Sequence, residues 1–268
     1  MTQPANRNSQ FPIHLYDLDL PTLHSLLEDW GQPAYRARQL WEWLYVHLAI
    51  NFDQMSNLPR PLRERLAAET MVGAPQVVDT LQSSDGETHK DLLGLKDGET
   101  VEAVLMRYRE RRTACISTQV GCAIGCTFCA TGQMGFRRNL TSGEIVAQAL
   151  HFARILRTEG ERLTNVVLMG MGEPLLNYEA SLVAIRRLID PQGLKLGQRH
   201  ITLSTVGIVP GINRLAGEGL QITLAISLHA ATDPLRDQLV PINRRYGLDA
   251  LFEACYRYVE RTLSLIHI

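Results

Sequence analysis

The segment Gly121-Cys-Ala-Ile-Gly-Cys-Thr-Phe-Cys-Ala-Thr131 places three cysteines within eight residues. Their C-x3-C-x2-C spacing favours a loop that holds an iron–sulfur cluster through the thiolates of Cys122, Cys126 and Cys129. Three thiolates on a four-iron cluster leave one iron open to a ligand that the protein does not supply. A structural zinc site is the alternative, and it would need a fourth ligand such as Cys115. Three closely spaced cysteines cannot all pair in disulfides.

Composition limits the function classes that the chain can serve. Its 268 residues are 45% hydrophobic, which is enough for a substantial core, and the net charge is −1. That charge gives no global attraction to nucleic acid, so any RNA contact must come from local basic patches. We find no signal-like leader and no run of about 18 apolar residues that would cross a membrane, which predicts a cytoplasmic protein. The patches are Arg107, Arg109, Arg111 and Arg112, then Arg137 and Arg138, Arg186 and Arg187, and Arg244 and Arg245.

Residues 15–72 carry a helical pattern and follow a flexible N-terminus at 1–14. Within the helix predicted over 34–45, we expect Trp41, Leu44 and Tyr45 to be core residues because they recur at helical spacing. Arg36 and Arg38 on the same helix are candidate RNA contacts.

Residues 73–112 show strand periodicity interrupted by Ser84-Asp-Gly86 and Lys96-Asp-Gly98. Both triplets are good turn signals between antiparallel strands. The segment is predicted to be a β-hairpin extension in front of the next domain.

Strands alternate with helices between residues 113 and 262, which predicts an α/β fold with a parallel sheet. A full barrel of eight units takes about 250 residues, or roughly 30 per unit, so this stretch holds only four to five and forms a partial (β/α) barrel. Thr141-Ser-Gly-Glu144 is a capping box at a helix start. Short buried strands are predicted at 164–169, 200–205 and 221–228, and helices at 141–156, 178–189, 209–217 and 248–262.

Ligands of parallel α/β folds bind beyond the carboxyl ends of the strands. Candidate contacts therefore follow each predicted strand. The glycines around Gly172 admit close backbone approach, and Glu173 can accept hydrogen bonds from a ligand ammonium. Ser204, Ser227, Leu228 and His229 complete this set.

The motifs together resemble the RlmN and Cfr family of radical S-adenosylmethionine (SAM) methyltransferases, above all the RlmN type. The resemblance covers about residues 15–262. The matching stretches are Tyr35-Arg-Ala-Arg-Gln39, Cys115-x-Ser-x-Gln-Val-Gly-Cys122, Gly135-Phe-x-Arg-Asn-Leu140, Met169-Gly-Met-Gly-Glu-Pro-Leu-Leu-Asn177, Leu203-Ser-Thr205 and Ser227-Leu-His229.

The resemblance implies a fold, two cofactors and a reaction. The fold would be the partial barrel of the radical SAM type, with a [4Fe-4S] cluster that binds SAM through its open iron. Gly172, Glu173, Ser204 and the stretch Ser227-Leu-His229 match the family's SAM contacts. A first SAM would methylate a tail cysteine, and a radical from a second SAM would activate that methyl group for addition to adenine C2 in 23S rRNA and tRNA.

Two further residues take roles from the resemblance. Cys115 matches the cysteine that resolves the protein–RNA adduct through a disulfide with the tail cysteine, so we expect a thiol that is free of the cluster and reactive. Glu102 matches the proton acceptor. Val101, Ala103, Val104, Leu105 and Met106 surround Glu102 in sequence, so we expect a partly buried carboxylate with a raised pKa. The alternative is an edge-strand glutamate that faces water.

The last residues depart from the family pattern. No strand is predicted after the helix at 248–262, and residues 263–268 match nothing. The tail cysteine is missing, and Cys255 lies in an apolar helical stripe where small buried thiols are ordinary. We therefore expect a chain that is shortened at its C-terminus, binds cluster and SAM, and does not complete methyl transfer.

Other functions remain open from the sequence. A Cfr-type enzyme would methylate adenine C8 with the same cofactors, and a zinc-stapled RNA-binding module would not be an enzyme. The resemblance implies 23S rRNA and tRNA as partners, an electron donor such as flavodoxin, no membrane and a monomer.

Overall fold

Alternating strands and helices form most of the computed structural model, which describes residues 12–264 and 266–267. The strands are β1 (Ile13–His14), β2 (Thr70–Met71), β3 (Gln76–Gln82), β4 (Thr88–Gly94), β5 (Thr100–Arg107), β6 (Arg112–Cys115), β7 (Gln119–Gly121), β8 (Phe136–Asn139), β9 (Asn165–Leu168), β10 (Ile201–Thr205), β11 (Thr223–Ile226) and β12 (Ile266–His267). The helices are α1 (Leu20–Asp29), α2 (Tyr35–Tyr45), α3 (Arg60–Glu69), α4 (Ala130–Gln133), α5 (Ser142–Thr158), α6 (Tyr178–Leu188), α7 (Val209–Leu215), α8 (Asp233–Leu239) and α9 (Leu248–Thr262).

One mixed sheet of eight strands organises the fold, in the order β12-β11-β10-β9-β6-β5-β4-β3. The five strands from β12 to β6 are parallel, and β6 aligns Thr113 with Asn165 of β9. Their connections run through helices, as parallel neighbours require. The predicted partial α/β barrel is confirmed.

Most large apolar side chains of β9, β10 and β11 are buried. Val166, Leu168, Ile201 and Leu224 expose between 0 and 1% of their surface, which explains the short apolar runs in their sequences. The capping box that starts α5 is also confirmed: the Glu144 N–H donates to Thr141 Oγ1 (3.1 Å), and the Thr141 N–H donates to the Glu144 carboxylate (2.9 Å).

The segment predicted as a hairpin extension is part of this main sheet. Both predicted turns exist, and they join β3, β4 and β5 into an antiparallel meander. The meander does not stand apart, because β5 also pairs with β6. Val101, Ala103 and Leu105 of β5 are buried against the core, so this strand continues the barrel sheet.

The N-terminal helices form a small module closed by a parallel pair of short strands, β1 and β2. Trp41, Leu44 and Tyr45 expose at most 1% of their surface, which confirms them as core residues. The predicted flexible terminus is wrong for Ile13 and His14, because pairing with β2 orders them. Residues 1–11 lie outside the described part of the chain.

Helix α5 holds the module against the barrel at several points. The Gly143 N–H in its first turn donates to the Asp17 carboxylate (2.6 Å), a favourable place for an anion at a helix N-terminus. Arg154 donates to the Leu48 carbonyl (2.9 Å) and Tyr16 hydroxyl (2.7 Å), and Arg157 donates to the His47 carbonyl (2.7 Å). Backbone carbonyls at the C-terminal end of a helix lack an intrahelical hydrogen-bond partner. Arg154 and Arg157 bond to carbonyls just beyond α2 and thereby fix the orientation of the module on the barrel.

Several short elements were not predicted, among them β1, β2 and α4. Helix α8 and the two-stranded ribbon of β7 and β8 are too short to show a periodic pattern. Strand β12 contradicts the expectation that nothing follows α9, since it pairs in parallel with β11. Two residues carry too little pattern to reveal a strand, and pairing alone defines this one. None of the helices in the described ranges has the length and apolar character that crossing a bilayer needs.

A buried carboxylate links the meander to α5. Asp91 of β4 is 1% exposed and accepts hydrogen bonds from Thr80 Oγ1 (2.6 Å), His89 Nε2 (2.8 Å) and His151 Nε2 (2.7 Å). Burial opposes ionisation of Asp91, but these hydrogen bonds hold its pKa below the usual value. Burial lowers the pKa of His151, although Asp91 opposes that shift.

We expect the free energy of unfolding to fall as the pH is lowered from 7 to 5. Since the folded state keeps His151 neutral, the unfolded chain takes up the proton first below about pH 6.5, and proton binding then favours unfolding. His151→Gln should flatten this pH dependence in urea unfolding measured at pH 5, 6 and 7. His47→Gln, at an exposed histidine, is the control and should keep the slope. Equal slopes in both variants would contradict the assignment.

Candidate functional site

The three clustered cysteines lie on a loop closed by the ribbon of β7 and β8. The Cys122 N–H donates to the Gly135 carbonyl (3.1 Å) at the neck of this loop. Gly121 has φ +72°, and a Cβ there would lie 1.8 Å from the Gly135 carbonyl oxygen. Only glycine fits this position, because a side chain would be strained by φ and would collide with backbone.

The thiols of Cys122, Cys126 and Cys129 share one electrostatic neighbourhood. Burial, with smaller contributions from the nearby thiols of Cys122 and Cys129, raises the pKa of Cys126 to about 11. Burial also raises the pKa of Cys122, with a contribution from Cys129. In the described ranges, no three His, Cys, Asp or Glu side chains lie close enough to one another to hold a metal ion.

The donor set fits an iron–sulfur cluster better than zinc. Three candidate sulfur ligands come from one loop, and Cys thiolates are the groups that hold iron–sulfur clusters. A structural zinc needs four ligands. Cys115 does not join the triad: it ends β6, and its sulfur lies next to the Met169 backbone.

The loop after β9 is docked on the segment that precedes the cysteine loop. The Met171 N–H donates to Ser117 Oγ (2.8 Å), and the Glu173 N–H donates to Gln119 Oε1 (2.9 Å). Asn177 Nδ2 donates to the Thr118 carbonyl (2.8 Å). We call residues 169–177 the docked loop. Ser117, Gln119 and Asn177 lie within the sequence motifs described above, but no local pattern indicated a role for them.

The docked loop needs its glycines for contact. A Cβ on Gly172, which has φ +98°, would lie 2.5 Å from the Cβ of Gln119, and a Cβ on Gly170 would lie 2.6 Å from Ser117 Oγ. These glycines therefore allow a close backbone approach, and the partner in contact is the protein's own segment 117–119.

Glu173 is a buried carboxylate beside the cysteine loop. It is 3% exposed and accepts hydrogen bonds from the N–H groups of Leu175 (3.0 Å) and Val206 (2.9 Å), one on each oxygen. Burial still raises its pKa to about 7, and its charge raises the pKa of Cys122. A side-chain hydrogen bond from Thr205 also favours the ionised form. Within the described ranges no cationic side chain pairs with Glu173, so an ionised Glu173 leaves room for a cationic ligand.

The ends of β10 and β11 bring more polar groups to the same edge. Ser204 Oγ and Ser227 Oγ lie 3.1 Å apart. His229 adopts φ +61°, unusual for a residue with a side chain, and its ring centroid lies 4.4 Å from that of Phe128 in the cysteine loop. Leu228, which lies between Ser227 and His229 in sequence, is half-buried against the core. The edge therefore gathers Ser204, Ser227 and His229 near the cysteine loop, as parallel strand ends predict.

Glu102 lies on the outer face of β5. Its side chain is 47% exposed and pairs with Lys90 (2.8 Å), so the expected partial burial is wrong. The cause is strand alternation: Val101 and Ala103 turn to the core, and Glu102 turns away. The strand is not an edge, however, because β4 and β6 flank it.

Cys115 and Glu102 share one face of the sheet. Cys115 pairs with Val104, which is two residues from Glu102 on β5, and such diagonal neighbours are about 7–8 Å apart. Burial raises the pKa of Cys115 to about 11, which disfavours the reactive thiolate. Cys115 is a free thiol in this structure.

Four of the ten arginines in the predicted basic patches form ion pairs within the described ranges, and Arg36 of the helical module is also bonded to the protein. Arg36 donates to the Asn57 carbonyl (3.0 Å), and Arg138 pairs with Asp97 (2.6 Å) and Glu144 (2.8 Å). Arg38 is exposed and keeps its place as a candidate RNA contact. Further ion pairs join Arg107 to Glu159, Arg112 to Glu161, and Arg186 to Glu218.

A cavity of about 500 Å³ lies at the opposite edge, beside the starts of β9 and β10. Asn165 and His200 of the barrel line it together with Tyr45 and Val46 of the module. None of the predicted cluster or SAM residues borders this space. The candidate chemistry therefore belongs to the carboxyl edge of the sheet.

Comparison with known proteins accounts for both parts of the chain. Residues 13–72 match the ribosomal RNA large subunit methyltransferase N-terminal domain, and residues 116–268 match the radical SAM superfamily. A dual-specificity RNA methyltransferase RlmN 1 of Myxococcus xanthus is 55% identical over 94% of this chain and 70% of the relative. The chain belongs to the RlmN family of radical SAM methyltransferases. Members of this family use a [4Fe-4S] cluster and SAM.

Two further matches support this assignment to the family. A probable dual-specificity RNA methyltransferase RlmN of Chloroflexus aurantiacus is 52% identical, with 92% of this chain and 67% of the relative covered. The crystal structure of a radical SAM methyltransferase from Sphaerobacter thermophilus superposes with a TM-score of 0.92 at 50% identity, covering 95% of this chain and 75% of that one.

We expect Gly121→Ala to destabilise the protein more than Gly31→Ala. Both glycines have φ +72°, but a Cβ at Gly31 meets nothing within 4 Å. The control should therefore lose only the cost of the left-handed backbone, about 1–2 kcal/mol. Gly121→Ala adds a backbone collision and should lose clearly more in urea unfolding. Equal losses would contradict the described neck of the cysteine loop.

Proposed function

We propose that this chain is a radical SAM methyltransferase that acts on C2 of adenosine in 23S rRNA and tRNA. The observation that carries the proposal is the meeting of the cysteine loop, Glu173 and the Ser204–Ser227 pair at one sheet edge. The relatives named above as dual-specificity RNA methyltransferases support the reaction class. The Cfr-type reaction at C8 is the alternative, because it would use the same groups.

Each residue of the site has a proposed task. Cys122, Cys126 and Cys129 would hold the cluster, which, when bound, supplies the electron that cleaves SAM. Glu173 would accept hydrogen bonds from the SAM ammonium and gain the countercharge that its buried position lacks. Ser204 and Ser227 would bind polar groups of the same ligand, with Gly172, Leu228 and His229 shaping the pocket.

Glu102 and Cys115 would act on the substrate side. Glu102 is reachable from solvent, so it can accept a proton from a base that docks over β5. Cys115 lies on the same face and would be the second mechanistic cysteine. Because burial disfavours its thiolate, we propose that its reaction requires a base nearby, and Glu102 is a carboxylate on the same face.

The remaining partners follow from family membership and charge. We propose that RNA docks partly through Arg38 on the helical module, that an electron donor such as flavodoxin reduces the cluster, and that the protein works as a cytoplasmic monomer. The net charge of −1 means that RNA affinity rests on local contacts and falls with added salt.

Cluster binding is tested by metal content. Anaerobically reconstituted protein should hold about four irons per chain, following thiolate ligation of a four-iron cluster, and Cys122→Ala should lose them. Cys115→Ala should keep its iron, as should the control Cys255→Ala at a buried thiol of α9. Stoichiometric zinc without iron would instead support the non-catalytic alternative.

The role of Glu173 is tested by SAM affinity. Glu173→Ala should weaken binding by about 1.5–3 kcal/mol, the range for a hydrogen bond to a charged group, or roughly 10- to 150-fold. Glu159→Gln removes an exposed carboxylate remote from the site and should leave the affinity unchanged. Calorimetry with iron-loaded protein measures both, and equal affinities would refute the contact.

The reaction itself is tested by product analysis. With dithionite, SAM and RNA, the iron-loaded 268-residue chain, in which no cysteine follows Cys255, should release 5′-deoxyadenosine and leave the RNA unmethylated. A form that also carries the family's tail cysteine should yield 2-methyladenosine on digestion and mass spectrometry. In that form, Glu102→Gln should still cleave SAM and lose methylated product, because its task comes after cleavage. 8-Methyladenosine in place of the C2 product would assign the Cfr-type reaction, and absence of 5′-deoxyadenosine would refute the radical mechanism.

A further inference from the structure

Arg236 of α8 is a fully buried cation that sequence reasoning did not single out. Its guanidinium is 0% exposed and donates from Nε to the Leu228 carbonyl (3.0 Å), from Nη2 to the Val206 carbonyl (2.5 Å) and from Nη1 to Asn243 Oδ1 (2.5 Å). All three nitrogens are used, which only a planar guanidinium fork can do.

The two carbonyls belong to the loops that follow β10 and β11. Val206 comes directly after β10, and its N–H donates to Glu173 (2.9 Å). Leu228 stands between Ser227 and His229. One side chain therefore ties together two loops that carry most of the proposed SAM contacts.

Helix α8 also reaches the cysteine loop. The Thr127 N–H, between two of the clustered cysteines, donates to the Leu239 carbonyl at the end of α8 (3.1 Å). The same short helix thus contacts three loops of the site.

The charge of Arg236 is balanced indirectly, through Asn243. Asn243 Nδ2 donates to the carboxylates of Asp233 (2.8 Å) and Asp237 (2.7 Å). Within the described ranges no carboxylate pairs directly with the guanidinium. A buried cation without a direct partner costs several kcal/mol, so packing alone would favour an apolar residue here.

The neighbours of Arg236 respond to its charge. It contributes to the lowered pKa of His229, which burial causes first, and it lies near enough to Cys126 to act electrostatically on that thiol. The guanidinium therefore faces both the SAM side and the cluster side of the site.

We propose that Arg236 is a positioning residue: its guanidinium holds the loops after β10 and β11 in register with the cysteine loop, and its charge supports the reduced state of the cluster. The inference rests on the proposed function for its ligands. The hydrogen-bonded lock itself belongs to the protein and can be tested without cofactors.

The lock is tested with Arg236→Lys, which keeps the charge and loses the fork. In cluster-free protein, the amides of Val206 and Ser227, which donate to Glu173 and the Thr205 carbonyl, should exchange hydrogen faster than in the unsubstituted chain. Iron-loaded Arg236→Lys should retain its iron and bind SAM at least ten-fold more weakly. The matched control is Arg187→Lys, a buried arginine that covers Trp41 at the module interface, and it should change neither property.

The charge is tested with Arg236→Gln. Loss of a positive charge should lower the reduction potential of the cluster in an EPR-monitored titration, and Arg236→Lys should preserve it. Unchanged amide exchange and SAM affinity in Arg236→Lys would overturn the lock, and equal potentials in Arg236→Gln would overturn the electrostatic part. If Arg236→Gln does not fold, Arg236→Lys still decides whether the hydrogen-bonded lock exists. Urea unfolding of Arg236→Met compared with Arg187→Met then tests whether folding needs the buried charge.

Failure of the proposed function gives a different result. The unsubstituted protein would then take up no iron and bind no SAM, while the exchange experiment would still report on the two loops.

Discussion

The site depends on the contact between the segment 117–119 and the docked loop. Ser117 and Gln119 alternate along an extended stretch, so both side chains face the same loop and receive its Met171 and Glu173 N–H groups. Buried N–H groups left unpaired would each cost about 1–3 kcal/mol. The contact therefore specifies where Glu173 stands relative to the cysteines.

Ser117 also extends this contact in two other directions. The Ser117 N–H donates to Gln148 Oε1 of α5 (2.8 Å), and Gln148 Nε2 donates to the Ser117 carbonyl (3.0 Å). The Ser117 hydroxyl donates to the Glu102 carbonyl (2.6 Å). Helix α5 in turn holds the N-terminal module through Arg154 and Arg157. One buried serine thus couples the cluster side, the substrate side and the accessory module, because hydrogen bonds in a dry interior leave few alternative arrangements.

Local patterns predicted the elements with strong periodicity. The parallel strands, the capping box of α5 and the core role of Trp41 were all readable, because burial on both faces or on one helical stripe leaves a direct trace in sequence. Glu102 shows the limit. Its apolar neighbours suggested burial, yet strand alternation turns it outward. Which face of the sheet is covered depends on α5, which contacts β6 and β4 and lies further along the chain.

Consecutive residues carried the candidate ligand chemistry: three thiols in one loop, a glycine-rich turn with Glu173, and the family to which they belong. These features are local, since ligand type and turn geometry are encoded in neighbouring residues. The folded arrangement was needed to show that Glu102 shares a face with Cys115, that β12 pairs with β11, and that Arg236 bridges two loops. Each depends on residues distant in sequence, and the free energy that selects such contacts comes from burial and hydrogen bonding in the assembled fold.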